Sequence, residues 1–124
     1  MKQVLYGLGN DIEDISRVAK LFEKLPAYAI KILTPAELEI FSNLSKRRKL
    51  EYLAGRYSAK ESYSKALGTG IGKSVSFQDL EILNDELNAP YFAKHPLEDK
   101  CHALISISHT KDHVFTTVIL DKIN

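Results

Sequence analysis

Apolar positions along this chain change their period twice. Val4 to Leu8 is a short apolar run broken by Gly7, with Gly9 just beyond; it predicts a strand that frays into a tight turn. Asn10 and Asp11 follow where that strand is expected to end. From Ser16 the spacing becomes helical. Val18, Ala19, Phe22 and Leu25 fall on one face of a helix capped by Ser16 and closed by Pro26. Thr34-Pro35-Ala36-Glu37 is a second helix start, with a capping hydroxyl, proline at the first helical position and glutamate at the third. It predicts a short helix with Leu38 and Phe41 inward, ending near Asn43 or Leu44. Ser45 opens a long helix. From there to Leu67 no proline occurs and only Gly55 interrupts good helix formers, and Gly68 is placed as its left-handed cap. After Gly72 the period falls to two. Val75-Ser76-Phe77 and Leu80 to Leu83 read as half-buried strands, Asn84-Asp85-Glu86 as a turn, and Pro90-Tyr91-Phe92 as the return. Residues 93–100 are polar and name no element. Ala103 to Ser108, a turn at Thr110-Lys111-Asp112, and Val114 to Leu120 predict a C-terminal antiparallel hairpin with His109 at its tip. Strand, helices, then strands predicts an α+β fold, an antiparallel sheet packed on the long helix.

Length adds that residues 1–124 form one domain, large enough to bury a core without staples. With 44% hydrophobic and 27% charged residues the chain falls among soluble globular proteins. The 17 basic and 16 acidic residues leave a formal charge of +1, so bulk charge does not point to nucleic acid and any charged partner must meet a local patch. The lone Cys101 cannot close an intrachain disulfide, which fits a reducing cytoplasm. No run approaches the about 18 apolar residues of a membrane span, and Met1-Lys2-Gln3 leads into a strand-like run rather than a signal peptide. Repeats and low-complexity segments are absent from the sequence.

Candidate chemistry gathers on the long helix. Tyr57, Glu61, Ser64 and Lys65 lie three or four apart on one face. Gly68-Thr69-Gly70-Ile71-Gly72 then holds half of the six glycines. A carboxylate and an ammonium one turn apart, followed by backbone free to approach an anion, suits a metal-bound polyphosphate; alone, it also reads as an ordinary exposed pair worth about 0.2–0.5 kcal/mol. Asp11 reads either as a turn former or, with Glu61, as half of a magnesium site, since Mg²⁺ takes one or two carboxylates plus phosphate oxygens. Lys46, Arg47, Arg48 and Lys49 oppose the helix dipole and repel one another. They form either a solvated face or a docking surface for an acidic partner. His109 reads as a plain turn residue, a metal ligand, or a phosphate-binding or proton-handling group. Its nearest partner, His113, sits across a hairpin turn, which argues against zinc.

These pieces coincide with one pattern. Gly7-Leu8-Gly9-Asn10-Asp11-Ile12 through Arg17, Ala54-Gly55-Arg56-Tyr57-Ser58-Ala59-Lys60-Glu61-Ser62-Tyr63-Ser64-Lys65-Ala66, Gly68-Thr69-Gly70-Ile71-Gly72, Ser76-Phe77-Gln78-Asp79 and Ser106-Ile107-Ser108-His109-Thr110 appear in order. In this the chain closely resembles the holo-acyl-carrier-protein synthases, the small bacterial class of 4′-phosphopantetheinyl transferases, over nearly its whole length. The resemblance implies that coenzyme A donates its 4′-phosphopantetheine arm to a serine of acyl carrier protein, releasing adenosine 3′,5′-bisphosphate, in support of fatty acid biosynthesis. It further implies Mg²⁺, a cytoplasmic homotrimer with active sites at subunit interfaces, and neither nucleic acid nor membrane as partner. By the family pattern Asp11 and Glu61 bind the metal and Lys65 faces the phosphates. His109 joins them as a catalytic residue. Arg56, Lys65, Gly68, Thr69, Gly70, His109 and Thr110 line the coenzyme A cleft, and Arg17, Arg47 and Arg48 are expected to meet the carrier.

Charge in the reaction accumulates on non-bridging phosphate oxygens and on the departing phosphate. Magnesium between two carboxylates answers the first and the Lys65 ammonium the second. A water on the metal, a metal-site carboxylate and His109 all stand as acceptors of the serine proton; the water, oriented by Asp11 or Glu61, is favoured. Three departures from the commonest pattern bear on affinity rather than on reaction type. Asn10 stands where an aliphatic residue is usual and would bias the metal's surroundings. Leu87-Asn88-Ala89-Pro90-Tyr91 replaces an Asn-Gly-Lys-Pro-Tyr turn, and Ala27-Tyr28 replaces Arg-Phe. Two readings of other classes compete: a non-catalytic coenzyme A or nucleotide-binding module, and an interaction protein that docks an acidic partner without metal.

Overall fold

Extended backbone at Ser45 and a left-handed Gly68, at φ 92°, bound a 22-residue helix, α4 (Lys46–Leu67). Everything else in the computed structural model, which describes residues 4–123, is arranged against it. Before it come α1 (Ile15–Lys24), α2 (Ala27–Ile32) and α3 (Pro35–Ser42). The last opens with the expected capping box between Thr34 and Glu37 and stops at Asn43. β1 (Leu5–Asp14) precedes the helices; β2 (Glu81–Asn84), β3 (Pro90–Lys94), β4 (Cys101–His109) and β5 (His113–Lys122) follow them. The strands form two antiparallel sheets, a three-stranded one in the order β1-β5-β4 and a separate β2-β3 hairpin. The class is α+β, as the pattern predicts.

Three expectations about local structure are corrected, and one helix appears that the pattern does not predict. β1 does not fray at Gly7 and Gly9. It runs ten residues, so Asp11 lies inside the strand, opposite Thr116, rather than beyond its end. Gly9 is buried, and both glycines are there for packing. A Cβ on Gly7 would stand 1.8 Å from the Ala66 carbonyl oxygen, and one on Gly9 2.0 Å from that of Ser62. Only bare backbone lets α4 press so closely on β1. The first helix starts earlier than Ser16: Asp14 is its N-cap, without a side-chain capping bond, and the Ile15 amide is held by the Asp112 carbonyl at 2.9 Å. α2 has no counterpart in the periodicity, because six residues make too short a repeat to read. Instead of a sequence signal it has a distant cap: Gln78 Nε2 donates to the carbonyls of Ile30, Lys31 and Leu33 at 3.0, 3.2 and 2.8 Å. Val75-Ser76-Phe77 is not a strand. Phe77–Asp79 is a 3-10 turn in which the Ser76 amide donates to Asp79 Oδ2 at 2.9 Å, and the apolar alternation there reflects burial of Val75 and packing of Phe77 on Tyr57.

A buried ion pair locks α4 to the elements around it. Lys60 Nζ donates to Glu37 Oε1 at 2.6 Å, to the Ile32 carbonyl at 2.7 Å and to the Phe77 carbonyl at 3.1 Å. Glu37 also accepts from the amides of Thr34 at 2.9 Å and Ile82 at 2.8 Å. Both side chains are fully buried, and burial pulls the Lys60 pKa down against the opposing pull of Glu37. With its donors and carboxylate oxygens satisfied, the pair fixes α2, α3 and β2 on one helix instead of stranding a charge in the core. On the sheet side, Thr116 Oγ1 meets Ser58 Oγ at 2.8 Å and Ser62 Oγ at 2.6 Å. Ser58 Oγ also donates to the Asp11 carbonyl at 3.4 Å. Helix and sheet are thereby fixed in register at the level of Asp11.

Candidate active site

Because α4 sits directly on Gly7 and Gly9, its Glu61 and Lys65 come down beside Asp11. Lys65 Nζ donates to Asp11 Oδ1 at 3.1 Å; the lysine side chain is half exposed while Asp11 is buried. Asp11 Oδ2 is buried and has no hydrogen-bond partner. An orphaned carboxylate oxygen is expensive in a folded interior. Glu61 adds a second carboxylate whose pKa is pushed up, first by burial and then by the charge of Asp11. Two acids close enough for one to feel the other's charge, with a half-exposed ammonium on Asp11 and one Asp11 oxygen unpartnered, have the donor set of a hard divalent cation. Among the described residues no group of three or more His, Cys, Asp or Glu side chains is arranged to hold a metal. Magnesium requires only one or two carboxylates when substrate phosphates supply the rest, so Asp11 and Glu61 suffice.

A third acid belongs to this neighbourhood and the sequence reading missed it. Glu13 lies two residues after Asp11 and therefore on the same face of β1. Its carboxyl is pushed up to about 7, by burial first and by Asp11 second. Read as one ten-residue strand, Leu5–Asp14 would have paired the two acids by its period of two. Ending the strand early hid that. By the same periodicity Asn10 is exposed on the face of β1 opposite to Asp11.

A second group of expected residues gathers one end further along α4. Arg56 is buried, lies over the Tyr52 ring at 4.3 Å, and donates through Nη2 to Asn84 Oδ1 at 3.1 Å; its Nε–H is buried without a partner. His109, at the end of β4, stands 3.6 Å from Glu51. Arg48, Arg56, Asn84 and His109 line one groove of about 350 Å³. The altered turn after β2 feeds this groove. Asn88 takes the left-handed conformation, at φ 64°, that favours glycine, and accepts a hydrogen bond from Asn84 Nδ2 at 2.9 Å. His109 and Glu13 lie on one row of the sheet, with Val114 between them. Two strand spacings, about 10 Å, separate their backbones. Thr110 begins the hairpin turn, where its Oγ1 accepts from the His113 amide at 3.1 Å.

The backbone of the glycine loop is not free to approach an anion, and the three arginines do not gather in one place. The amides of Gly68, Thr69 and Gly70 all donate to the Ser64 carbonyl, at 3.0, 3.2 and 3.2 Å. They close the helix instead of standing open to an anion. Ser64 itself is buried, its hydroxyl donating to the Glu61 carbonyl at 2.6 Å, so it does not share the exposed face of Lys65. Arg48 lines the Arg56–His109 groove, Arg47 is exposed, and Arg17 pairs with Glu13 beside the acidic site. The three arginines are therefore split between three places.

Comparison with known proteins gives this geometry its context. Residues 7–118 match the model of the 4′-phosphopantetheinyl transferase superfamily. A holo-[acyl-carrier-protein] synthase of Lacticaseibacillus casei is 53% identical over 119 residues, covering 96% of this chain and 94% of that protein. The crystal structure of a holo-(acyl-carrier-protein) synthase from Bacillus anthracis in complex with CoA (3′,5′-ADP) superposes with a TM-score of 0.90 at 37% identity, covering 98% of this chain and 100% of that one. That of Helicobacter pylori holo-[acyl-carrier-protein] synthase in complex with coenzyme A does so with a TM-score of 0.81 at 29% identity, covering 91% and 98%. With its acids, its lysine and its helix-on-sheet layer, the chain belongs to the 4′-phosphopantetheinyl transferase superfamily, as an enzyme of the holo-[acyl-carrier-protein] synthase group.

Proposed function

We propose that the chain, acting as one domain, transfers 4′-phosphopantetheine from coenzyme A to a serine hydroxyl of an acyl carrier protein. The serine hydroxyl gives its proton to a site carboxylate, a water or His109 as its oxygen bonds to a pyrophosphate phosphorus, the bond to the bridging oxygen breaks, and adenosine 3′,5′-bisphosphate leaves with the electron pair. The observation that carries this reading is Lys65 Nζ on Asp11 Oδ1 at 3.1 Å beside the unpartnered buried Asp11 Oδ2, with the Glu61 carboxyl near enough to feel the charge of Asp11. Asp11 and Glu61 would hold Mg²⁺. When bound, it supplies the positive charge that offsets the non-bridging phosphate oxygens. Lys65 carries its ammonium on a flexible stem, half exposed, and swings from Asp11 to the departing phosphate. The Arg48–Arg56–His109 groove takes the phosphate-bearing nucleoside half, with the unpartnered Arg56 Nε–H as a donor already paid for by burial.

The outer face of the three-stranded sheet supports a further part of the proposal. Leu8, Ile12, Leu104 and Phe115 point away from α4 and are 45–62% exposed. An apolar patch of this kind marks an interface, and we assign it to copies of this chain in a homotrimer. His109 and Thr110 border a hollow on that face with Ile12 and Phe115, so the active site completes itself at the subunit boundary. We place the reaction in the cytoplasm, in keeping with the free, buried Cys101, and in the supply of carriers for fatty acid synthesis. No described helix is long and apolar enough to cross a membrane.

Incubating the chain with coenzyme A, Mg²⁺ and apo-carrier, and weighing the carrier, tests the reading. A gain of one phosphopantetheine group supports it. Coenzyme A binding with no gain in mass would make the protein a binding module instead, and no dependence on either ligand would leave an interaction protein.

A further inference from the structure

Glu13 is a burdened position. Its side chain is only 10% exposed and lies on the same face of β1 as Asp11. A carboxylate that far from water needs a partner. What it gains is Arg17. The guanidinium, half exposed on the first turns of α1, donates to Glu13 Oε1 across the junction between strand and helix. That junction is rigid, since the Ile15 amide is bound to the Asp112 carbonyl at 2.9 Å. Glu13 and Arg17 thus tie β1 to α1 two residues from Asp11.

We propose that Glu13 is a positioning residue: it clamps the Arg17 guanidinium at a fixed place beside the Asp11–Glu61 site, so that an acidic partner gripping Arg17 is held in register with the reacting phosphate. An arginine left free on an exposed helix would sample many rotamers and hold a partner's carboxylate loosely. A fork held by one buried carboxylate keeps its remaining N–H donors aimed outward in one direction. This rests on the carrier-protein reading above for the identity of Arg17's partner. The clamp itself does not.

Two measurements separate the clamp from that reading. In the first, the Arg17 Nε–H resonance is followed by nitrogen–proton correlation spectroscopy, assigned by its loss in Arg17→Lys. A resolved signal in the wild type that collapses into the exposed-arginine average in Glu13→Ala, and is partly kept in Glu13→Gln, supports the clamp. A signal indifferent to both substitutions overturns it. In the second, KM and kcat are measured separately for apo-carrier and for coenzyme A in Glu13→Ala, Arg17→Ala and the double variant. Each single change should raise the KM for carrier roughly five- to tenfold, and the double variant should be no worse than Arg17→Ala, the mark of two residues acting as one. Glu13→Gln, nearly the same shape and retaining an acceptor oxygen, should recover part of the loss. Effects that multiply, or a Glu13→Ala loss in kcat or in Mg²⁺ affinity with KM for carrier unchanged, would overturn the proposal. A wild type that modifies no carrier would sink the functional reading, while the spectroscopic measurement would still decide on the clamp.

Discussion

At the scale of single residues, the proposed chemistry rests on three side chains brought from two elements, and each has a separable signature. Asp11→Ala and Glu61→Ala are expected to abolish most transfer, because removing either leaves one carboxylate for the metal. Circular dichroism and a thermal melt should show the fold retained, since Glu61 is half-buried at the surface of α4 and Asp11 already has one oxygen unpartnered. Near wild-type turnover at saturating Mg²⁺ in either variant would refute the metal assignment. Lys65→Ala should lose turnover on the order of 10²-fold or more, the scale for removing one group that stabilises transition-state charge. The Gly68–Gly70 amides are consumed by the Ser64 carbonyl and do not substitute for it. If KM for coenzyme A rose instead while turnover held, Lys65 would be a uniform binding residue. These three residues were legible because their types, spacing and neighbours are peculiar to the motif. Glu13 and the Arg56–Asn84 contact were not, since each depends on a strand boundary or a turn that brings distant positions together.

Elements were legible where their signals are local. The Thr34–Glu37 capping box, the Gly68 stop and the C-terminal hairpin all carry their instructions within a few residues, and all three form. Where tertiary contact overrides, the pattern misleads. Two glycines in the first strand look like breakers, yet they are where α4 lands. Replacing Gly9 by alanine tests this directly. The new methyl would stand 2.0 Å from the Ser62 carbonyl oxygen, with backbone on both sides, so the helix must shift. Overpacking of this kind costs about 1–3 kcal/mol, and displacement of Glu61 from Asp11 should reduce turnover as well. Gly72→Ala is the matched control. Nothing lies within 4 Å of its added Cβ, so the expected change is within about 0.5 kcal/mol. Equal melting temperatures for the two variants would mean that β1 and α4 are not pressed together as described.

The whole molecule presents two functional groups on one layer and an apolar sheet face with nothing over it. Asp11, Glu61 and Lys65 sit at the β1 edge of that layer, while Arg56 and His109 sit towards β4. If copies of the chain meet through Leu8, Ile12, Leu104 and Phe115, the β1 edge of one copy and the β4 end of another can form a single cleft. A closed ring of three such heterologous contacts needs no further surface. This predicts rescue between inactive variants. Asp11→Ala lacks the acidic half and His109→Ala the nucleotide half. When the two are denatured together and refolded as a mixture, some boundaries unite an intact acidic half with an intact groove. Transfer should then rise well above that of either variant refolded alone. The effect depends on contact between copies, so Leu104→Asp placed in both variants should remove the rescue and shift the sedimenting species to smaller mass. A trimer by sedimentation with no rescue would mean that each chain carries its own complete site and that the sheet face serves assembly alone. Rescue that survives the Leu104→Asp change would move the boundary to another face of the molecule.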